Sequence, residues 1–272
     1  MKIIPFLNLS IPSEAERLEL LNAIDTVFQH GRIILGPEVS EFENTMAKRC
    51  GRKWAKGVNS GSDALYLCLR GLGIGPGDEV ITTSLSWIAT ANAITLTGAK
   101  PVFADIQEDL NIDPISVSRL INPKVKALLP VHYTGKICNM EKLQKIANEH
   151  NILLIEDAAQ AFGAKRYGKT AGSFGDAACF SLNSMKVLAA CGEAGFITGD
   201  NTTLQERIEW LRYNGTINRE SCVEPALNSR MDTIQAAILL KRLSNFKKKL
   251  TDAEKLQHFM SNFSKILPLN QK

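Results

Sequence analysis

From about residue 54 the chain alternates short apolar, β-branched runs with stretches whose apolar residues recur at three- and four-residue spacing. WAKGVNS (54–60), DEVITTS (78–84), KPVFADI (100–106), KALLPVH (126–132), NILLIEDA (151–158), DAACFSL (176–182) and GFITGD (195–200) read as strands. Helical spacing falls between and around them, at 63–72, 88–96, 115–121, 140–150, 202–212 and 232–250. Upstream, Ser13 with Glu16 forms a capping-box pattern for a helix reaching His30, and Pro37 to Cys50 reads as a second helix. Unbroken runs such as ALLPV and ILLI suit strands buried on both faces. The expected fold is therefore α/β, a mainly parallel seven-stranded sheet with helices on both faces.

Composition narrows the picture only slightly. At 272 residues and 44% hydrophobic content the chain can bury a substantial core, and its net charge of +4 is too mild to imply a nucleic-acid partner. The basic run Lys247, Lys248, Lys249 reads as a solvated helix face. Six cysteines lie scattered without CxxC pairs, which suits packing residues kept reduced in the cytoplasm rather than metal ligands. No segment has the unbroken apolar length of a membrane span, and the N-terminus lacks a secretory pattern.

The chemistry-bearing residues cluster where strands run out, the edge at which open parallel sheets gather ligands. In NSGSDAL, Gly61 allows close backbone approach, while Ser62 and Asp63 stand at a helix N-terminus that suits either a phosphate or an ordinary N-cap. Glu156 and Asp157 end an apolar strand, where a buried carboxylate requires a cation or strong donors; a cofactor's protonated ring nitrogen and a local turn cap both answer that need. Lys186 stands between an apolar strand and the small-residue run Ala189 to Gly195. A partly desolvated amine has its pKa lowered and can form a Schiff base with a carbonyl. Pyridoxal phosphate requires a lysine, a carboxylate, phosphate donors and a flat side chain. Lys186, Asp157, Ser62 with Ser181, and Trp87 supply one candidate each.

The segments ILGPEVSEFE (34–43), GVNSGSDAL (57–65), SWIATANAI (86–94), PVFADI (101–106), IEDAAQAFGA (155–164), SFGDAACFSLNSMK (173–186), GEAGFITGD (192–200) and LNSRMDTIQAAIL (227–239) together resemble, in order, the DegT/DnrJ/EryC1/StrS sugar aminotransferases. The resemblance implies the large domain of fold type I pyridoxal-phosphate transferases over residues 1–250, with 251–272 beginning a small C-terminal domain that is otherwise truncated. It also implies roles. Lys186 would bind the cofactor and carry the proton, Asp157 would pair with the pyridinium nitrogen, Gln160 would contact the ring hydroxyl oxygen, and Trp87 would cover the ring. Gly61, Ser62 and Ser181 would hold the phosphate, with Asn228 reaching the phosphate of a neighbouring subunit, so that a homodimer shares its sites.

The implied reaction takes the amino group of glutamate and passes it to the keto carbon of a nucleotide-linked sugar. Asn183, where many members carry an aromatic residue or histidine, and VHYTGKICNM (131–140), in place of the commoner VHLYGQ type of segment, lie on the expected substrate side, so the resemblance does not identify the sugar. The short C-terminal region admits an inactive homologue acting as a cofactor-binding or interaction subunit. A related sugar dehydratase has histidine in place of the lysine, and Lys186 argues against it. His132 is read as a satisfied structural histidine in preference to a substrate contact, Glu193 as a local hydrogen-bond partner, and Gly192 and Gly195 as sites of tight backbone packing.

Overall fold

The structure, a computed structural model, describes residues 7–218, 220–246 and 251 of the chain. Two helices come first. In α1 (Glu14–His30) the Ser13 hydroxyl accepts the Glu16 N–H and Gly31 closes the far end at φ 69°. In α2 (Pro37–Cys50) proline opens the first turn, where its missing N–H costs nothing.

Strands and helices then alternate: β1 (Trp54–Val58), α3 (Gly61–Gly71), β2 (Glu79–Thr83), α4 (Ala89–Leu96), β3 (Lys100–Ala104), α5 (Pro114–Leu120), β4 (Val125–Leu129), α6 (Met140–His150) and β5 (Leu153–Asp157). A small hairpin, β6 (Lys165–Arg166) with β7 (Lys169–Thr170), precedes β8 (Ala177–Ser181) and β9 (Gly195–Gly199). After α7 (Thr202–Leu211) a second hairpin, β10 (Thr216–Ile217) with β11 (Ser221–Cys222), leads to α8 (Thr233–Ser244). All seven expected strands form one sheet in the order β1-β9-β8-β5-β4-β2-β3. Neither hairpin was expected, because pairs of two-residue strands leave no periodicity to read. The predicted helix over 232–250 is described as far as Ser244, and the Lys247 to Lys249 run, together with nearly all of 251–272, lies outside the described residues.

Side chains alternate across the strands and build two cores. Leu128, Leu154, Ala178 and Phe180 pack with α2, α5, α6 and α8 on one face. Ala127, Leu129, Ile155, Ala177 and Cys179 pack with α3, α4 and α7 on the other. The first core contains Phe180 and Phe196, stacked at 4.4 Å between ring centroids with Phe42 edge-on to Phe196.

One strand breaks the parallel pattern, and the site depends on it. β9 runs antiparallel to both β1 and β8, so its first residue, Gly195, lies beside Val58 and Ser181 at their carboxyl ends. The connection from β8 to β9 therefore stays at the carboxyl edge, and residues 182–194 form a loop over that edge. Lys186 is carried on this loop.

Candidate active site

The floor of the site is the junction of β1 and α3. Ser60 is the N-cap of α3 and accepts the Asp63 N–H at 3.0 Å, so the cap is neither Ser62 nor Asp63, and the exposed Ser62 hydroxyl is free of capping duty. Glycine is obligatory nearby. A Cβ on Gly61 would stand 2.6 Å from Ser181 Cβ, and one on Gly195 would stand 2.4 Å from the Ser60 carbonyl oxygen. Gly61 and Ser181 are thus packed together at the N-terminus of a helix, where unpaired N–H groups favour an anion. Gly61→Ala is expected to cost about 1–3 kcal/mol through overpacking, read as a lower urea midpoint with an unchanged slope.

The adjacent carboxylates of β5 separate because successive side chains point to opposite faces. Glu156 enters the α2/α6 face with no exposure and accepts hydrogen bonds from the Gly172 N–H at 2.8 Å and the Phe174 N–H at 2.7 Å. His132 completes its shell. The ring Nδ1 accepts the Cys138 N–H at 3.3 Å, which leaves the ring proton on Nε2 to be donated to Glu156 at 3.0 Å. Arg52 reinforces the same loop by donating to the Gly172, Phe174 and Gly175 carbonyls. Glu156 and His132 are accordingly structural, as read for His132.

Asp157 enters the opposite face at 3% exposure. Its Oδ2 accepts from Thr90 Oγ1 at 2.8 Å, and Ser86 Oγ lies 2.7 Å from the same Thr90 oxygen. Because Thr90 commits its proton to the aspartate, Ser86 must donate to Thr90. Burial pushes the Asp157 carboxyl up from its ordinary value, against the Thr90 bond, the Ala159 N–H and the attraction of His132 and Lys186. It is a carboxylate with too little positive company.

Lys186 is half-buried, and among the described residues its Nζ makes no hydrogen bond or ion pair. Desolvation holds its pKa below the ordinary lysine value, opposed by Asp157 and Glu193. The loop beneath it is pinned internally, with Leu182 N–H to the Ala194 carbonyl at 2.8 Å and Ser184 N–H to that of Gly192 at 2.9 Å. Helix α8 pins it from outside. Gln235 brackets the Cys191 backbone through both ends of its amide, and Arg242 donates to the Ala189 and Ala190 carbonyls. Gly192, with φ 127° and no atom closer than 4.0 Å to an added Cβ, is required by backbone conformation rather than by tight packing.

The remaining expected residues are spread over other parts of the surface. Trp87, 78% exposed, precedes α4 and shares a cleft of about 240 Å³ with Ser62, Asp63, Tyr66, Ile88 and Leu227. That cleft does not reach Lys186 or Asp157, so Trp87 and Ser62 meet on the α3/α4 side. Asn228 is exposed at the sheet edge beside β1, where Asn59 N–H donates to the neighbouring Ser229 carbonyl. Its Oδ1 accepts from Arg230 Nε at 2.8 Å. Gln160 is exposed, with no side-chain hydrogen bond among the described residues to draw it to Lys186 or Asp157. Among the cysteines, Cys50, Cys68, Cys138 and Cys179 are buried, whereas Cys191 and Cys222 are exposed and correct the packing role read for them.

Residues 14–267 match the DegT/DnrJ/EryC1/StrS aminotransferase family. The chain belongs to that family. Its relatives include dTDP-3-amino-3,4,6-trideoxy-alpha-D-glucose transaminase of Streptomyces venezuelae, 43% identical over 89% of this chain and 64% of its own length. GDP-perosamine synthase of Caulobacter vibrioides is 41% identical over 89% of this chain and 65% of its own. The crystal structure of NtdA from Bacillus subtilis, with bound cofactor PMP, superposes with a TM-score of 0.83 at 32% identity, covering 95% of this chain and 62% of that one. The chain thus spans slightly less than two thirds of these DegT/DnrJ/EryC1/StrS relatives. Within the family fold, the sequence motifs did not disclose Thr90, Gln235 or Arg242 as supports, although each lies on a helix that borders the site.

Proposed function

We propose that the chain is a pyridoxal-phosphate-dependent aminotransferase that takes an amino group from glutamate and delivers it to the keto carbon of a nucleotide-linked sugar. The observation that carries the reading is the pairing of Lys186, half-buried and with no hydrogen-bond partner for its Nζ among the described residues, with Asp157, buried and short of positive charge. The donor set fits the cofactor. Lys186 offers an amine to its aldehyde, Asp157 a carboxylate to its ring nitrogen, and the Gly61–Ser181 cradle with Ser62 a helix N-terminus to its phosphate. Bound there, the cofactor supplies an electron sink for the carbon that loses or gains the amine.

The protein's part is to hold and to move protons. Thr90 and Ser86 fix the Asp157 carboxylate in one orientation, and a cation on the cofactor ring offsets its burial. A lysine with a depressed pKa has more of the neutral amine at neutral pH, the form that can accept the proton shuttled during transfer. Trp87 is assigned to the ring face and Gln160 to the ring oxygen. Asn228 is assigned to the phosphate of a second copy in a homodimer. Its exposed amide, with only Oδ1 engaged among the described residues, supports that role. The nucleotide-sugar substrate is supported by the relatives' own names, dTDP- and GDP-linked. A reducing cytoplasmic setting is supported by six free thiols; no helix among the described residues is long and apolar enough to cross a membrane.

The test is the visible absorbance of the purified chain with pyridoxal phosphate, before and after excess glutamate. A band that glutamate converts to the amine form of the cofactor supports the reading; no band overturns it. Asp157→Asn is expected to weaken cofactor binding by about 10- to 150-fold, equivalent to about 1.5–3 kcal/mol for a hydrogen bond to a charged group. Fluorescence titration measures it, and an unchanged Kd contradicts the role.

A further inference from the structure

The turn that presents Lys186 is built by one residue. Asn183 Oδ1 accepts the Met185 N–H at 2.9 Å, and the Asn183 main-chain carbonyl accepts the Lys186 N–H at 2.8 Å, so a single residue closes the turn twice. The other end of its amide faces across the loop. Asn183 Nδ2 donates to Glu193 Oε1, ten residues later on the strand-entry side. Glu193 has no second hydrogen-bond partner among the described residues, and its main chain leads directly into Ala194, which accepts from Leu182. The charged groups that act on the Lys186 amine are Asp157, from β5, and Glu193, from the loop entering β9.

We infer that Asn183 and Glu193 form a positioning pair for Lys186, Asn183 fixing the turn that carries the lysine and anchoring Glu193 as a second carboxylate across the same loop. The inference rests on the aminotransferase reading for its purpose, but its geometry does not. Without Asn183 the exposed Glu193 side chain loses its tether, and its influence on the amine is screened. With Asn183 in place, a buried carboxylate and an exposed one both favour the charged amine, and the second counters part of the desolvation that burial imposes. A carboxylate beside a cationic nitrogen favours protonation, so removing it lowers the pH at which the nitrogen loses its proton.

The test follows the pH dependence of the visible band of the cofactor-bound protein in Glu193→Gln, Asn183→Ala and the double variant. Glu193→Gln retains an acceptor for Asn183 and removes only charge. Its midpoint is expected to fall by about half a unit, about threefold in the ratio of the two forms at fixed pH. Asn183→Ala should shift the midpoint in the same direction, and the double variant should shift no further than the larger single, the signature of residues acting through one contact. An unmoved midpoint in Glu193→Gln, or independent shifts that add, overturns the pair. Should the unaltered chain show no visible band, the cofactor reading fails separately. The pair is then judged by the pH dependence of Lys186 acetylation with acetic anhydride, read by peptide mass spectrometry, with the same shifts expected and their absence equally decisive.

Discussion

Lys186→Ala is expected to abolish the visible band formed with pyridoxal phosphate and to reduce amino transfer by at least about 10⁴-fold, the upper range for a lost proton-transfer group. The loss combines two duties of one amine, attachment and proton movement. The fold should survive. Lys186 is half-buried and its Nζ holds no partner among the described residues, so truncation leaves none of their donors or acceptors orphaned. The loop itself is held by its main chain, by Gln235 and by Arg242, none of which needs the lysine side chain. The urea midpoint of Lys186→Ala should therefore match that of the unaltered chain within experimental error. Full turnover in the variant removes the central assignment; a collapsed midpoint shows instead that the lysine is a structural residue.

The strands were legible because each core strand is an apolar run bounded by turn residues, and the order of motifs carried the family. What pattern could not reveal was direction. The GFITGD run reads as one more strand, yet its antiparallel insertion between β1 and β8 is what returns the chain to the carboxyl edge and places Lys186 there. The pair Glu156 and Asp157 shows a second limit. Periodicity and composition left the two adjacent carboxylates together as a cofactor partner or a turn cap, and only the resemblance singled out Asp157, whereas the pleat sends one to each face. Glu156 meets His132 and the Gly172–Gly175 loop, and Asp157 meets Thr90. Thr90 itself lay in a quoted motif, but only the packing of α4 against the sheet makes its hydroxyl a partner to a residue 67 positions away.

Glu156→Ala is expected to be the most destabilising of these substitutions, by about 3–5 kcal/mol. The Gly172 and Phe174 N–H groups and the His132 Nε2–H lose their acceptor with this carboxylate, and the Arg52 guanidinium 3.8 Å away loses a nearby charge while keeping Asp200 and three carbonyls. The urea midpoint should fall accordingly. Asp157→Asn, one residue along, should behave oppositely in the cofactor-free chain. Asp157 has its pKa raised in the folded state, so folding favours its protonated form; that stabilising preference is complete below the unfolded pKa and disappears as pH rises through the folded value. Above that window the ionised side chain is a cost that asparagine does not carry. Cofactor-free Asp157→Asn should therefore be at least as stable as the unaltered chain at neutral pH while binding pyridoxal phosphate less well. If both substitutions lower the midpoint alike, the division of the two carboxylates into a structural anchor and a ligand group is wrong.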